Sequence, residues 1–82
     1  NITAVMAGTL VYVTHELDET FTVMLQHENY VSVYRHVGTV LKTVGVRVQA
    51  GESIALLGKQ PLLEFELWKN GSYINPEEVI VF

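Results

Sequence analysis

The chain has 82 residues, 49% hydrophobic and 17% charged, with a formal net charge of −4 and an isoelectric point near 5.2. This length allows one small domain with one core. The acidic balance argues against nucleic-acid binding by the domain alone. The lack of cysteine excludes disulfides, zinc fingers and thiol nucleophiles. No apolar run reaches the roughly 18 residues of a membrane span, so we expect no membrane insertion of this domain.

The composition favours strands over helices. Thirteen valines, four isoleucines and seven threonines are β-branched residues, which suit a pleated, half-buried surface. Apolar residues alternate or cluster in short runs between glycines and polar turns, which is the pattern of an all-β domain. In chain order, we predict strands at 2–5, 9–14, 21–26, 30–37, 46–49, 53–57, 62–69 and 73–74.

The predicted turns follow from local residue chemistry. A polar loop spans 15–20, and the tight turn 27–29 closes a meander of three strands, so that His15 and His27 are expected in solvent. Asn70 and Gly71 tolerate the positive φ of a two-residue hairpin turn. The segment 75–78 is predicted to open one helical turn. We interpret four further glycines as turn residues: Gly38, Gly45, Gly51 and Gly58.

Several segments together carry a family resemblance. TVMLQH at 22–27, YVSVYRHV at 30–37 and VGVRVQAGESIA at 44–55 are followed by PLLEFE at 61–66 and NGSYINP at 70–76. AGTLVY at 7–12 supplies the first core hairpin strand. In order, spacing and turn residues, this pattern resembles the LytM/lysostaphin-type zinc metallopeptidases, which cut peptidoglycan cross-bridges. The resemblance implies a small β-sandwich, or barrel-sandwich hybrid, over 1–82. Because the chain begins with Asn1, we expect it to be a segment of a longer polypeptide.

The resemblance also indicates where the chain departs from the family. The family binds zinc through a His and an Asp four residues apart, upstream of this chain, and through the second His of a Pro-His-x-His-Phe-Glu strand. Here Glu64 occupies that second position and Leu62 the first, while His36 remains in the Tyr-x-His motif. We therefore expect a degenerate member that has lost its zinc, with His36 as a vestige and no remaining metal or cofactor.

A peptide-binding groove could remain in a domain that has lost its catalytic zinc. Strict alternation would place Tyr30, Ser32, Tyr34 and His36 on one face of their strand, and Glu64 and His36 would then face the same groove. The residues predicted to line this groove are Tyr30, Tyr34, His36, Glu64, Glu66 and Trp68. A simpler interpretation remains open for each: His36 as a half-buried strand histidine, and Glu64 and Glu66 as carboxylates facing water.

Three functions remain open. The favoured one is a non-catalytic module outside the cytoplasm that binds peptidoglycan peptide or regulates a cell-wall hydrolase. The alternative is an active zinc endopeptidase with ligands upstream of residue 1, Glu64 as third ligand and His36 as a transition-state stabiliser. A weaker resemblance links 46–54 to biotinyl and lipoyl carriers, but the lysines lack the flanking residues that such carriers show around the modified one.

Overall fold

The computed structural model describes residues 2–57 and 63–74, and these residues form strands and turns without a helix. The strands are β1 (Ile2–Thr3), β2 (Gly8–His15), β3 (Phe21–Gln26), β4 (Val31–Val40), β5 (Arg47–Val48), β6 (Ser53–Leu57), β7 (Glu64–Lys69) and β8 (Ser72–Ile74). All pairings among these described strands are antiparallel. The all-β class and the predicted order of strands are confirmed. The helical turn predicted at 75–78 and the turn at Gly58 lie outside the described residues.

The sheet curls into a half-barrel whose strand order is β1-β6-β4-β3-β2-β5, with β7 and β8 added at β4. The predicted meander of β2, β3 and β4 is present. β4 is longer than expected, because it continues through Gly38 to Val40 and so places Gly38 in a strand rather than a turn. Asn70 and Gly71, with φ of 52° and 77°, form the predicted hairpin between β7 and β8.

β4 uses one edge for two partners. Its first half, Val31 to Arg35, pairs with β7, and its second half, from Val37 onward, pairs with β6. The register shifts near this change, so the strand carries irregularities there that bend it and interrupt strict alternation. The ends of β6 and β7 therefore meet beside residue 36.

The core lies on one face of this curled sheet. Apolar side chains of β1 to β6 form one buried cluster, and Phe65 of β7 packs against it. Its largest fully buried members are Leu10, Val23, Leu25, Tyr34, Val37, Val48 and Ile54. Directly opposed residues share a face, so the registers Val33 with Glu66 and Arg35 with Glu64 place these four residues on the opposite side of the sheet. We call that side the outer face.

Candidate functional site

His36 lies where β4 changes partners, and its backbone is left-handed, with a φ of 64°. Regular alternation would put its side chain on the core face beside Tyr34. Instead, the ring extends toward the outer face, where Nε2 lies 3.4 Å from Oε2 of Glu64. The imidazole is 42% exposed and the Glu64 side chain 54% exposed. His36 and Glu64, predicted to face one groove, are therefore in contact on the outer face, and this contact arises from an irregular backbone rather than from alternation.

The other ring nitrogen of His36 faces the loop between β2 and β3. Nδ1 lies 3.5 Å from Oδ2 of Asp18. Oδ1 of Asp18 accepts hydrogen bonds from the Thr20 hydroxyl at 2.6 Å and the Thr20 amide at 3.1 Å. These bonds lower the pKa of Asp18, with a smaller contribution from His36. The imidazole thus lies between two carboxylates and connects the loop to β7.

Glu66 is held by a second set of contacts on the outer face. Nε and Nη2 of Arg35 each donate to one of its carboxylate oxygens at 3.3 Å, and Nε1 of Trp68 donates to Oε1 at 3.1 Å. The bonds from Arg35 lower the pKa of Glu66 most, followed by the bond from Trp68. The same pairing raises the pKa of Arg35. Glu66 is only 18% exposed, so it is not the free, solvated carboxylate that the strand pattern favoured.

The aromatic residues predicted to line the groove occupy three different settings. Tyr34 is 1% exposed and belongs to the core cluster, so its placement in the groove is wrong. Burial raises the pKa of Tyr34, and its hydroxyl accepts from the Val5 amide at 3.2 Å. Tyr30 precedes β4, and the Lys69 ammonium lies 5.5 Å from its ring centroid. Trp68 lies on the outer face and meets the Tyr73 ring edge-on at 5.9 Å.

His27 is buried, at 5% exposure, and its prediction as a solvated turn residue is wrong. Its Nδ1 donates to the Ala7 carbonyl at 2.8 Å, and its Nε2 lies 2.7 Å from the Ser32 hydroxyl. Gly8 makes room for this ring, because a Cβ there would lie 2.6 Å from Nδ1. His27 and Ser32 therefore support the fold and do not reach the outer face.

A pocket of about 360 Å³ opens beside His36. Its lining surface is mostly apolar, and its lining residues are Glu16, Leu17, Asp18, Thr20, Thr22, Arg35 and His36. The loop 16–20 forms one side of this open pocket, and two backbone hydrogen bonds shape the loop: the Glu16 amide donates to the Thr20 carbonyl, and the Glu19 amide donates to the Glu16 carbonyl. No motif in the sequence indicated this pocket, since it depends on how the loop packs against the bent strand β4.

The family is decided by comparison with known proteins. The sequence model that represents peptidase family M23 matches residues 1–76 of this chain. The chain belongs to this family. The family resemblance carried by the motifs at 22–37, 44–55 and 61–76 is therefore confirmed. A search of curated proteins found no match.

Two solved structures share the M23 fold with this chain. One is cbpa from L. salivarius REN, with a TM-score of 0.79 and 16% identity, covering 96% of this chain and 63% of that one. The other is a mutant of the catalytic domain of the prophage-encoded M23 protein EnpA from Enterococcus faecalis, with a TM-score of 0.72 and 25% identity over 93% of this chain. The chain spans only 66% of the EnpA structure. In the described part of the chain, no helix has the length and apolarity to cross a membrane.

The possible metal-ligating side chains of this M23 domain can be compared with what a zinc site requires. Within 2–57 and 63–74, no three His, Cys, Asp or Glu side chains come together as metal ligands. Glu64 and Asp18 approach opposite ring nitrogens of His36, so these three groups cannot converge on one ion. Since a catalytic zinc requires about three protein ligands, the described residues by themselves do not fit one.

Proposed function

We propose that this M23 domain is a non-catalytic module that binds an extended peptide of the bacterial cell wall across its outer face. One observation carries the proposal. Glu64, at the strand position where the family resemblance places a zinc-binding histidine, directs its carboxylate to His36 at 3.4 Å. The imidazole of His36, which the family resemblance would place beside the metal, therefore lies against two carboxylates, those of Glu64 and Asp18.

The outer face offers contacts suited to an extended peptide. The side chains of Glu64 and Arg35 are 54% and 38% exposed, and Tyr73 is 55% exposed. In the described part of the sheet, β8 pairs only with β7, which leaves its outer backbone edge able to pair with an added strand. Strand addition supplies main-chain hydrogen bonds, while side chains on the adjacent face supply specificity.

Such a module would act outside the cytoplasm, at the periplasm or cell surface, where its ligand is found. A net charge of −4 makes polyanions poor competitors for this face. Regulation of a cell-wall hydrolase is the second role that the family resemblance suggests. A hydrolase bound in place of wall peptide would support that role instead.

The decisive experiment combines binding and metal analysis. Soluble muropeptides and purified peptidoglycan are titrated with the chain and with a Glu64→Ala/Trp68→Ala variant, and Glu28→Gln serves as an exposed control away from the face. We expect saturable binding that the double variant weakens and the control retains. Zinc is measured in the polypeptide as the cell makes it. One zinc per chain together with cross-bridge cleavage would overturn the proposal, as would an absence of binding to every wall fragment.

A further inference from the structure

The loop pocket beside His36 is the feature that the peptide-binding proposal leaves unexplained. Thr22 is one of its lining residues; it is 3% exposed, and its hydroxyl makes no hydrogen bond to any described residue. No side-chain nitrogen or oxygen in the described ranges is both sealed from solvent and unpaired. The Thr22 hydroxyl is therefore unpaired without being fully sealed, and because Thr22 lines the pocket, this hydroxyl is a candidate contact for a ligand that enters there.

The charges around the pocket favour a cation. Arg35 is paired with Glu66 through two hydrogen bonds, so much of its charge is compensated. His36 lies between two carboxylates, Asp18 and Glu64. Glu16 lines the pocket and forms no ion pair with the described residues, although its charge adds to those of Glu66 and Glu64 in raising the pKa of Arg35. When Glu64 and Glu66 are counted with the lining residues, carboxylates outnumber the basic groups Arg35 and His36, so an entering group meets an excess of negative charge on largely apolar walls.

The rim indicates which cation fits. Leu17, in the pocket wall, is 105% exposed, so its whole side chain is available to an apolar partner. A lysine-like side chain combines a methylene stem, which packs on such a surface, with an ammonium that has three N–H donors. Carboxylate oxygens of Glu16 and Asp18 and the hydroxyl of Thr22 are acceptors for those donors.

We propose that this pocket binds the side-chain ammonium of a diamino acid residue in the bound peptide. The inference rests on the proposed function, because it names the residue type by which the peptide would be recognised. The methylene stem lies along Leu17, and the ammonium reaches Thr22 and Glu16.

The test is an NMR titration of the chain with Nα-acetyl-L-lysine amide and with the same compound acetylated on its side-chain nitrogen. We expect saturable amide shifts around residues 16–22 and 35–36 with the free amine only. Glu16→Gln removes one charge at an exposed position and should weaken binding about fivefold. Thr22→Val keeps the branched shape of the side chain and should weaken it by about threefold to tenfold. Glu28→Gln should leave the affinity unchanged.

Equal shifts with the acetylated compound, shifts centred elsewhere or no saturable response would each overturn the inference. Should Thr22→Val fail to fold, the comparison of Glu16→Gln with Glu28→Gln decides the matter. The proposed function fails separately. If muropeptides bind whether or not their side-chain amine is acetylated, the pocket assignment is wrong and the peptide-binding module stands. If the lysine compound binds and no wall fragment does, the module is wrong and the ammonium pocket stands.

Discussion

Nε2 of His36 lies 3.4 Å from Oε2 of Glu64, at the point where β4 passes from one partner strand to another. Both side chains are about half exposed, so their contact contributes at most about 1 kcal/mol to the free energy of unfolding. Its importance is positional, because it holds the imidazole between β7 and the loop that lines the pocket.

The left-handed backbone of His36 gives a first prediction. Asn tolerates a positive φ far better than a β-branched residue does. We therefore expect His36→Val to have a free energy of unfolding about 1–2 kcal/mol lower than His36→Asn. Both variants lack the imidazole, so urea unfolding of the pair isolates the backbone term. Equal stabilities would show that residue 36 relaxes to an extended conformation when it is replaced.

The buried imidazole of His27 gives a second prediction. His27→Ala removes the hydrogen bond to the Ala7 carbonyl and leaves the Ser32 hydroxyl without that partner in the core. We expect a loss of about 2–3 kcal/mol in the free energy of unfolding. His15→Ala is the matched control, because His15 is exposed and stacks only on Phe21 among the described rings. A similar loss in both variants would contradict a stabilising role for the buried His27 ring.

The close approach at Gly8 gives a third prediction. A Cβ at this position would lie 2.7 Å from the Gln26 carbonyl oxygen as well as 2.6 Å from the His27 ring. Gly8→Ala should therefore lower the free energy of unfolding by about 1–3 kcal/mol. In a His27→Ala background the added cost should shrink, since one of the two clashes is gone. Strict additivity in this double-mutant cycle would mean that the ring does not press on Gly8.

The ion pair of Glu66 gives a fourth prediction, on pH. Arg35 and Trp68 hold the pKa of Glu66 below its ordinary value of 4.5 in the folded protein. The folded state thus stabilises the charged carboxylate, and this contribution is present above pH 4.5 and is lost as pH falls through the lowered pKa. In Glu66→Gln, the free energy of unfolding should fall less steeply with acidification.

Chemical unfolding at a series of pH values checks this expectation. Glu28→Gln is the control, because Glu28 is exposed and forms no hydrogen bond or ion pair within the described residues. It should keep the slope of the unchanged chain. A Glu66→Gln slope equal to that of the control would mean that the pairing with Arg35 is too weak to matter in solution.

The strands were predictable because their signals are local. Alternation, β-branched runs and the Asn70–Gly71 turn each depend on neighbours in sequence, and each reappears in the structure. His27 was misplaced because turn chemistry does not show that a glycine 19 positions earlier leaves space for its ring.

The arrangement of the site was less accessible to sequence reasoning. Alternation correctly relates Glu64 to Glu66, but it assigns Tyr34 and His36 to one face because it assumes an unbroken strand. The break at residue 36 arises from the exchange of β7 for β6, which is a matter of tertiary pairing. The bond between Arg35 and Glu66 likewise requires the register of two strands 31 residues apart.

The placement of β7 has a further consequence for how the domain opens. On the described path of the sheet, β7 and β8 join the rest of the fold only through β4. If this hairpin detaches while β2, β3 and β4 stay paired, Glu64, Glu66 and Trp68 leave together and His36 keeps only its partner in the loop. Ligand affinity would then depend on how often the β7–β8 hairpin is attached to β4. Amide exchange in β7 would slow on ligand addition even where global unfolding is unchanged.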